Sequence, residues 1–310
     1  MNEVKFSVFA DYHYYPSHFR TCGLEGITQI INRAVENNAD FIIHVGDLCH
    51  TPDKFPELIS LYENAPIPAF HCTGNHEFEN SSLNDVLKAY HLENSYYYFD
   101  VKGFRFIVLD LNNMLVDGQN IHYENGSWQR SKYDYVASID KKQLNWLEKT
   151  IMSSNGPCIL FSHHSLERAR SGISPEENEK IREMLKRVNK DKKRVFMAIN
   201  GHYHRDYLRL RDNIAFLDLN SASNEWLEPK HSGFFPQEIY DKYICAEYNV
   251  MWNDPLNAIV TIREDGYIKI EGMESEFFCG VSHTTLGRDP FDKDGRECTP
   301  RISSHEFKLF

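Results

Sequence analysis

Five short apolar runs in this chain each end in a polar cluster, and that repetition constrains the fold more than any bulk property. After VKFSVFA come Asp11, Tyr12 and His13. After FIIHV come Gly46, Asp47, Leu48, Cys49 and His50. After IPAFHCT come Gly74, Asn75, His76 and Glu77. After CILFS come His163 and His164, and after VFMAIN come Gly201, His202, Tyr203 and His204. Apolar runs of roughly four to eight residues bounded by such breaks read as buried strands. The spacing predicts strands over Val4–Ala10, Phe41–Val45, Ile67–Cys72, Phe104–Leu109, Cys158–Phe161, Val195–Ile199 and Ile214–Leu217.

Amphipathic helical patterns lie between several of these runs. Ile27, Ile30, Ile31, Ala34 and Val35 mark one apolar face. Leu144, Leu147 and Ile151 mark another, behind Asp140 as N-cap with Gln143 at N3. Ile181, Met184, Leu185 and Val188 mark a third, opened by Ser174 as N-cap, Pro175 at N1 and Glu177 at N3. Two alternating runs around Asp265-Gly266 read as a hairpin. Strands alternating with helices predict an α/β fold of βαβ units packed in layers. Residues 112–139 and 220–249 carry no clean period and read as long functional loops or small cap elements. The catalytic body is expected to span 1–273, with 274–310 a turn-rich extension packed on it.

Composition narrows the function. The net charge of −11 argues against a nucleic-acid polymer as partner. It leaves room for a small anionic substrate, because bound metal ions reverse the local sign. No apolar run is long enough for a membrane span, and Glu3 and Lys5 interrupt the first apolar stretch, so neither a span nor a signal peptide is expected. Seven scattered cysteines without a C-x-x-C read as reduced, mostly buried thiols in a cytoplasmic protein.

The strand ends carry the chemistry. In open α/β sheets the ligand site lies outside the carboxyl ends of the strands, so groups far apart in sequence converge there. Asp11, His13, Asp47, Asn75, His163, His202 and His204 form a mixed oxygen and nitrogen donor set without thiolate. Such a set suits Mn²⁺, Fe, Zn²⁺ or Co²⁺ better than a structural cysteine-rich zinc site. Seven donors are too many for one ion and divide into two four-coordinate sets if Asp47 bridges. Pairs at i and i+2, Asp11/His13 and His202/His204, point the same way from extended backbone. Taken singly, D-x-H is a turn, GNHE a loop and GHYH a surface pair. Their joint occurrence, each behind its own apolar run, is what points to a two-metal centre.

The ordered set D-x-H, G-D, G-N-H-E, H-H and G-H-x-H, over Val4 to His204, resembles the calcineurin-like metallophosphoesterase superfamily in its non-purple branch. The resemblance implies a four-layer α/β/β/α sandwich. It implies that Asp11, His13, Asp47 and His204 hold one metal, and that Asp47, Asn75, His163 and His202 hold the other. It implies that His76 contacts the scissile phosphate and protonates the leaving oxygen. The family's usual H-x-P is S-H-H-S here, with Ser165 where the proline often stands; His163 is taken as the ligand and His164 as flanking. His50 stands where purple acid phosphatases carry a tyrosine ligand and is taken as a neighbour.

The reaction expected is in-line attack on phosphorus by a water that two metals activate, with His76 as general acid and Glu77 as its candidate orienting group. The substrate expected is a small phosphodiester or nucleotide; a phosphomonoester and a non-catalytic metal-binding scaffold are the alternatives. Tyr12, Tyr14, Tyr15, His18, Arg20, Asn112 and Asn113 are candidate pocket residues, and the stretch YENGSWQRSKYDY (123–135) is a candidate lid. The tyrosines read equally well as packing. GDLCHTP lacks the Asp-Arg-Gly of the family's phosphoserine phosphatases, which argues against that activity.

Overall fold

A computed structural model describes residues 2–127, 137–167, 175–227, 233–293 and 295–310. In chain order, the strands of its two main sheets are Glu3–Phe9 (β1), Phe41–Val45 (β2), Ala69–Cys72 (β3), Tyr97–Val101 (β4), Phe104–Leu109 (β5), Cys158–Ser162 (β6), Val195–Asn200 (β7), Tyr207–Arg211 (β8), Ile214–Asp218 (β9), Ala258–Arg263 (β10), Tyr267–Glu271 (β11) and His305–Lys308 (β12). The first sheet runs β12-β11-β10-β1-β2-β3 and the second β8-β9-β7-β6-β5-β4. The triplets β1-β2-β3 and β5-β6-β7 are parallel. Their carboxyl ends are the ones that carry the polar clusters.

The two sheets face each other across an apolar seam that includes Phe6, Phe41, Phe106 and Phe161. The rings of Phe6 and Phe41 stack at 5.1 Å, and Phe106 meets Phe41 edge-on at 4.7 Å. On its outer face the first sheet packs against helices Gly23–Glu36 (α1) and Pro56–Glu63 (α2) through residues such as Ile27, Ile30, Ile42 and Leu58. On its outer face the second sheet packs against Lys141–Met152 and Pro175–Val188 through Leu147, Ile151, Ile181 and Leu185. Four layers, α/β/β/α, result. Strands alternating with helices on both faces bury nearly continuous apolar runs, which is why β2, β6 and β7 are buried at every position.

The structure departs from the sequence reading in places. Val35 is 38 % exposed and lies off the buried face of α1. The third strand starts at Ala69, not Ile67, because Pro68 has no N–H to give the ladder. Asp140 caps its helix by accepting from Gln143 N at 2.8 Å. The Gln143 side chain does not return to the cap. It makes a two-way bridge to the Asp110 backbone instead. The 112–139 stretch contains a hairpin, Asn113–Val116 with Gln119–His122, and the 220–249 stretch contributes Asn224–Trp226, paired with Asn249–Met251. Beyond Glu274, His305–Lys308 forms the edge of the first sheet. Ser174 and residues 128–135 of the candidate lid lie outside the described residues. All seven cysteines are free, and four of them, Cys49, Cys72, Cys158 and Cys298, are buried. Among the described residues no helix is long and apolar enough to cross a membrane.

Candidate metal centre

The parallel strands deliver their end residues to one place at the seam between the sheets. Strands β1, β2 and β3 bring Asp11, His13, Asp47 and Asn75; β6 and β7 bring His163, His202 and His204. All except His202 are buried. Asp11, His13, Asp47, His202 and His204 all have positive φ, between 49° and 71°, so the Asp11/His13 and His202/His204 pairs stand on left-handed and not, as their spacing suggested, on extended backbone. Non-glycine residues rarely hold that conformation unless their surroundings over-determine it. Two neighbouring glycines leave room for the carboxylates. A Cβ on Gly74 would collide with Asp47, and one on Gly201 with Asp11 and, at 2.6 Å, with the Ala10 Cβ.

The donor atoms fall into overlapping groups. In one, donor atoms of Asp11, His13 and His204 lie within 4.8 Å of each other; in another, those of Asp47, His163 and His202 do. His13 Nε2 and His204 Nε2 are 3.0 Å apart, and His204 Nε2 is 3.4 Å from the Asp11 carboxylate. His163 Nε2 stands 3.1 Å from Asp47 Oδ2, 3.2 Å from Asn75 Oδ1 and 3.2 Å from His202 Nδ1. Asp47 Oδ2 is also 3.9 Å from His13 Nε2, so this carboxylate faces both groups. His164 is buried beside this group, its ring 4.3 Å from that of His202, and it belongs to neither donor cluster.

Outer partners fix which nitrogen points inward. His163 Nδ1 is 2.9 Å from Val45 O, and His204 Nδ1 is 2.8 Å from Asn224 O. A carbonyl accepts only, so each Nδ1 carries a proton and each Nε2 is the nitrogen turned to the centre. Burial beside other imidazoles holds His13 and His202 well below their usual pKa, hence neutral. Burial would also lower His163, but the charges of Asp47 and Asp11 raise it to about 10. The two carboxylates therefore call for positive charge at that spot. Neutral imidazoles, carboxylates that demand a cation and a neutral amide oxygen fit divalent metal ions.

His76 sits beside this set. Its backbone N–H donates to Asp47 Oδ1 at 2.9 Å, and its Nδ1 is 2.7 Å from Glu79 Oε1. Residues His76–Phe78 form a 3₁₀ turn, in which side chains at i and i+3 eclipse. That geometry makes Glu79, not Glu77, the orienting partner of His76. Glu77 turns away and accepts from Asp47 N, Leu48 N, Gly74 N and Tyr90 Oη at 2.8–3.0 Å. The other Glu79 oxygen lies 2.9 Å from His50 Nδ1, and His50 Nε2 lies 2.9 Å from His13 Nδ1. One carboxylate thus orients His76 directly and His13 through His50. Donor atoms of His13, His50 and His76 also lie within 4.8 Å of one another.

Trp226 borders the same space, its ring 5.9 Å from His13, 6.4 Å from His204 and stacked on His76 at 6.1 Å. Phe19 lies 5.7 Å from His13. Neither ring carries a sequence signal for a site. Tyr12 and Tyr14 are core residues, and the Tyr12 hydroxyl donates to Gly23 O. Arg20 is tied to Trp252 O at 2.7 Å. Asn112 is buried and donates to the Thr73 carbonyl at 3.1 Å.

A family model described as calcineurin-like phosphoesterase matches residues 4–206. No curated protein matches the chain. Among solved structures, a dimetal phosphatase from Danio rerio is 13 % identical over 99 % of both chains, with a TM-score of 0.65. GAP50, the anchor in the inner membrane complex of Plasmodium, is 15 % identical over all of this chain and 90 % of its own, with a TM-score of 0.56. At those identities the two structures share the fold with this chain.

Proposed function

The chain belongs to the calcineurin-like phosphoesterase family, and from that premise we propose that it is a dimetal hydrolase of a small phosphodiester or nucleotide-type substrate. The observation that carries this reading is the pair of donor clusters sharing the seam, Asp11/His13/His204 and Asp47/His163/His202. Asn75, 3.2 Å from His163, and Asp47, which faces both groups, complete them. A fold that also serves an anchor protein does not by itself imply catalysis; the full donor set with His76 in place favours an enzyme over a scaffold.

Asp11, His13, Asp47 and His204 would hold one divalent ion, and Asp47, Asn75, His163 and His202 the other. Two such ions would supply charge neutralisation for a bound phosphate and a lowered pKa for a water nucleophile. The protein supplies the rest. His76 is half-buried at the edge of the centre and holds a proton on the side away from Glu79 when cationic. Burial would depress its pKa, but Asp47 and Glu79 raise it above the usual imidazole value. A cationic His76 stabilises charge on the phosphate and gives its proton to the leaving oxygen. Glu79 keeps the imidazole aimed. Trp226, half-buried and stacked on His76, offers an apolar face to the group attached to the phosphate. That aromatic wall and the net charge of −11 favour a small organic ester over a polymer.

The test uses protein loaded with Mn²⁺, assayed on bis-p-nitrophenyl phosphate and p-nitrophenyl phosphate beside His76→Ala and an EDTA-treated sample. Diester turnover that needs metal and falls about 10²–10⁴-fold in the variant is expected. Monoester turnover alone would keep the hydrolase and change the substrate class. Metal-bound protein that turns over neither would refute the hydrolase.

A further inference from the structure

The family match ends at Asp206, yet the loop that carries His202 and His204 is held from beyond that boundary by residues near the C-terminus. Asp206 and Glu297 exchange both backbone hydrogen bonds at 3.1 Å. The backbone N–H of Ser303 donates to Asp206 Oδ2 at 2.9 Å. Next to Glu297 sits Arg296, only 1 % exposed. Its guanidinium lies 3.8 Å above the ring of Tyr203, and its Nε and Nη2 both reach Asp292 Oδ2 at 2.8 Å. Arg205, on the loop itself, is 3.7 Å from the same Asp292.

Tyr203 separates two residues of the donor set, His202 and His204, whose φ values are 71° and 49°. Backbone in that region persists only where its surroundings leave it no alternative. The Gly201 side of the loop is pressed against Asp11, and the Asp206 side is bridged to the tail. In the middle, Arg296 stacks on the Tyr203 ring, and the loop's own Arg205 donates to His204 O at 2.9 Å. A desolvated cation over an aromatic face is among the stronger cation–π contacts, and the fork to Asp292 fixes the guanidinium plane as lysine could not.

We propose that the C-terminal segment around Asp292, Arg296 and Glu297 is a positioning clamp for the His202–His204 loop, and that retention of metal at the centre depends on Arg296 stacked on Tyr203. The proposal rests on the metal-centre reading above. Arg296 touches no donor atom; it acts through Tyr203 on the backbone that aims the two imidazoles. Removing outer partners of metal ligands commonly weakens metal affinity by roughly 10- to 100-fold.

The experiment titrates Co²⁺ into the full metal-free chain and follows its visible ligand-field bands, for wild type, Arg296→Gln, Tyr203→Leu, the double variant and Tyr203→Phe. Each truncating variant is expected to weaken Co²⁺ affinity about 10- to 100-fold and to change band intensity. The double variant is expected to lose no more than the worse single one, because both remove one contact. Tyr203→Phe keeps the ring and is expected to bind as wild type does. Where truncation disturbs the metal-free circular dichroism, Arg296→Lys takes its place. A point charge cannot keep both the ring face and Asp292, so weaker binding is expected, and wild-type binding would overturn the proposal. Wild-type affinity in the truncated variants, or additive losses in the double variant, would also overturn it. A wild type that takes up no Co²⁺ would refute the metal-centre reading, and the clamp with it; wild-type uptake with unaffected variants would refute the clamp alone.

Discussion

Glu79→Gln isolates the group that orients the proposed general acid. The carboxylate faces His76 Nδ1 at 2.7 Å and His50 Nδ1 at 2.9 Å, with 16 % of its side chain exposed. Hydrogen bonds from those imidazoles hold Glu79 far below the usual carboxylate range despite burial, so it is charged at neutral pH. Glutamine keeps the shape and one acceptor oxygen, but turns an NH₂ group toward one imidazole and removes the charge. A hydrogen bond to a charged group contributes about 1.5–3 kcal/mol. Losing one such bond in the transition state predicts a kcat lower by about 10- to 150-fold. Because Glu79 serves proton donation, the loss should depend on the leaving group. Aryl esters with good leaving groups need little protonation, whereas alkyl esters need it most. The assay is kcat across a series of phosphate esters with leaving groups of rising pKa, for wild type and variant at matched metal occupancy. A steeper dependence is expected in the variant. An equal loss across the series would refute the argument, because it would place Glu79 in metal retention through His50 and His13 rather than behind His76.

Three other outcomes follow from packing and titration. Glu77→Ala would strand the buried N–H groups of Asp47, Leu48 and Gly74, and should lower urea-unfolding stability by about 3 kcal/mol or more. Gly201→Ala would press a methyl group into the Asp11 carboxylate and Ala10; stability should fall by about 1–3 kcal/mol, with metal uptake reduced in the same sample. Burial alone would raise the Glu63 carboxyl, but hydrogen bonds from His71 and His91 bring it below its usual value. A depressed carboxyl stabilises the fold above its unfolded pKa and loses that contribution as pH falls through the folded one. The Tm gap between wild type and Glu63→Gln should therefore close as pH drops below about 4.5, and a gap that widens there would contradict the assignment.

The sequence revealed the strand ends because each apolar run is short, mostly buried and stopped by a polar group. Edge strands were harder. Tyr97–Val101 turns Tyr97, Phe99 and Val101 onto the core and Tyr98 and Asp100 outward, and a second tyrosine on its exposed face blurs the alternation. Other turns went unread although the signal was present. Asp117-Gly118 and Asp212-Asn213 hold positive φ at both residues between paired strands, whereas at Asp265-Gly266 only the glycine does. Glu79 was invisible for a different reason. Adjacency favoured Glu77, and only the 3₁₀ turn brings i+3 into line with His76. The role of Arg296 has no local signal, since it depends on a contact with Tyr203, far back in the chain.

The donors come from both sheets, Asp11, His13, Asp47 and Asn75 from the first and His163, His202 and His204 from the second. Neither half alone holds either cluster. Each cluster is complete only once the two sheets have closed on their shared seam. Ions held there would act as rivets across that seam. A cation that binds only the closed state opposes separation of the halves by RT ln(1 + [M]/Kd). The metal supply of the cell would then set how long this fold stays shut, as well as how fast it works.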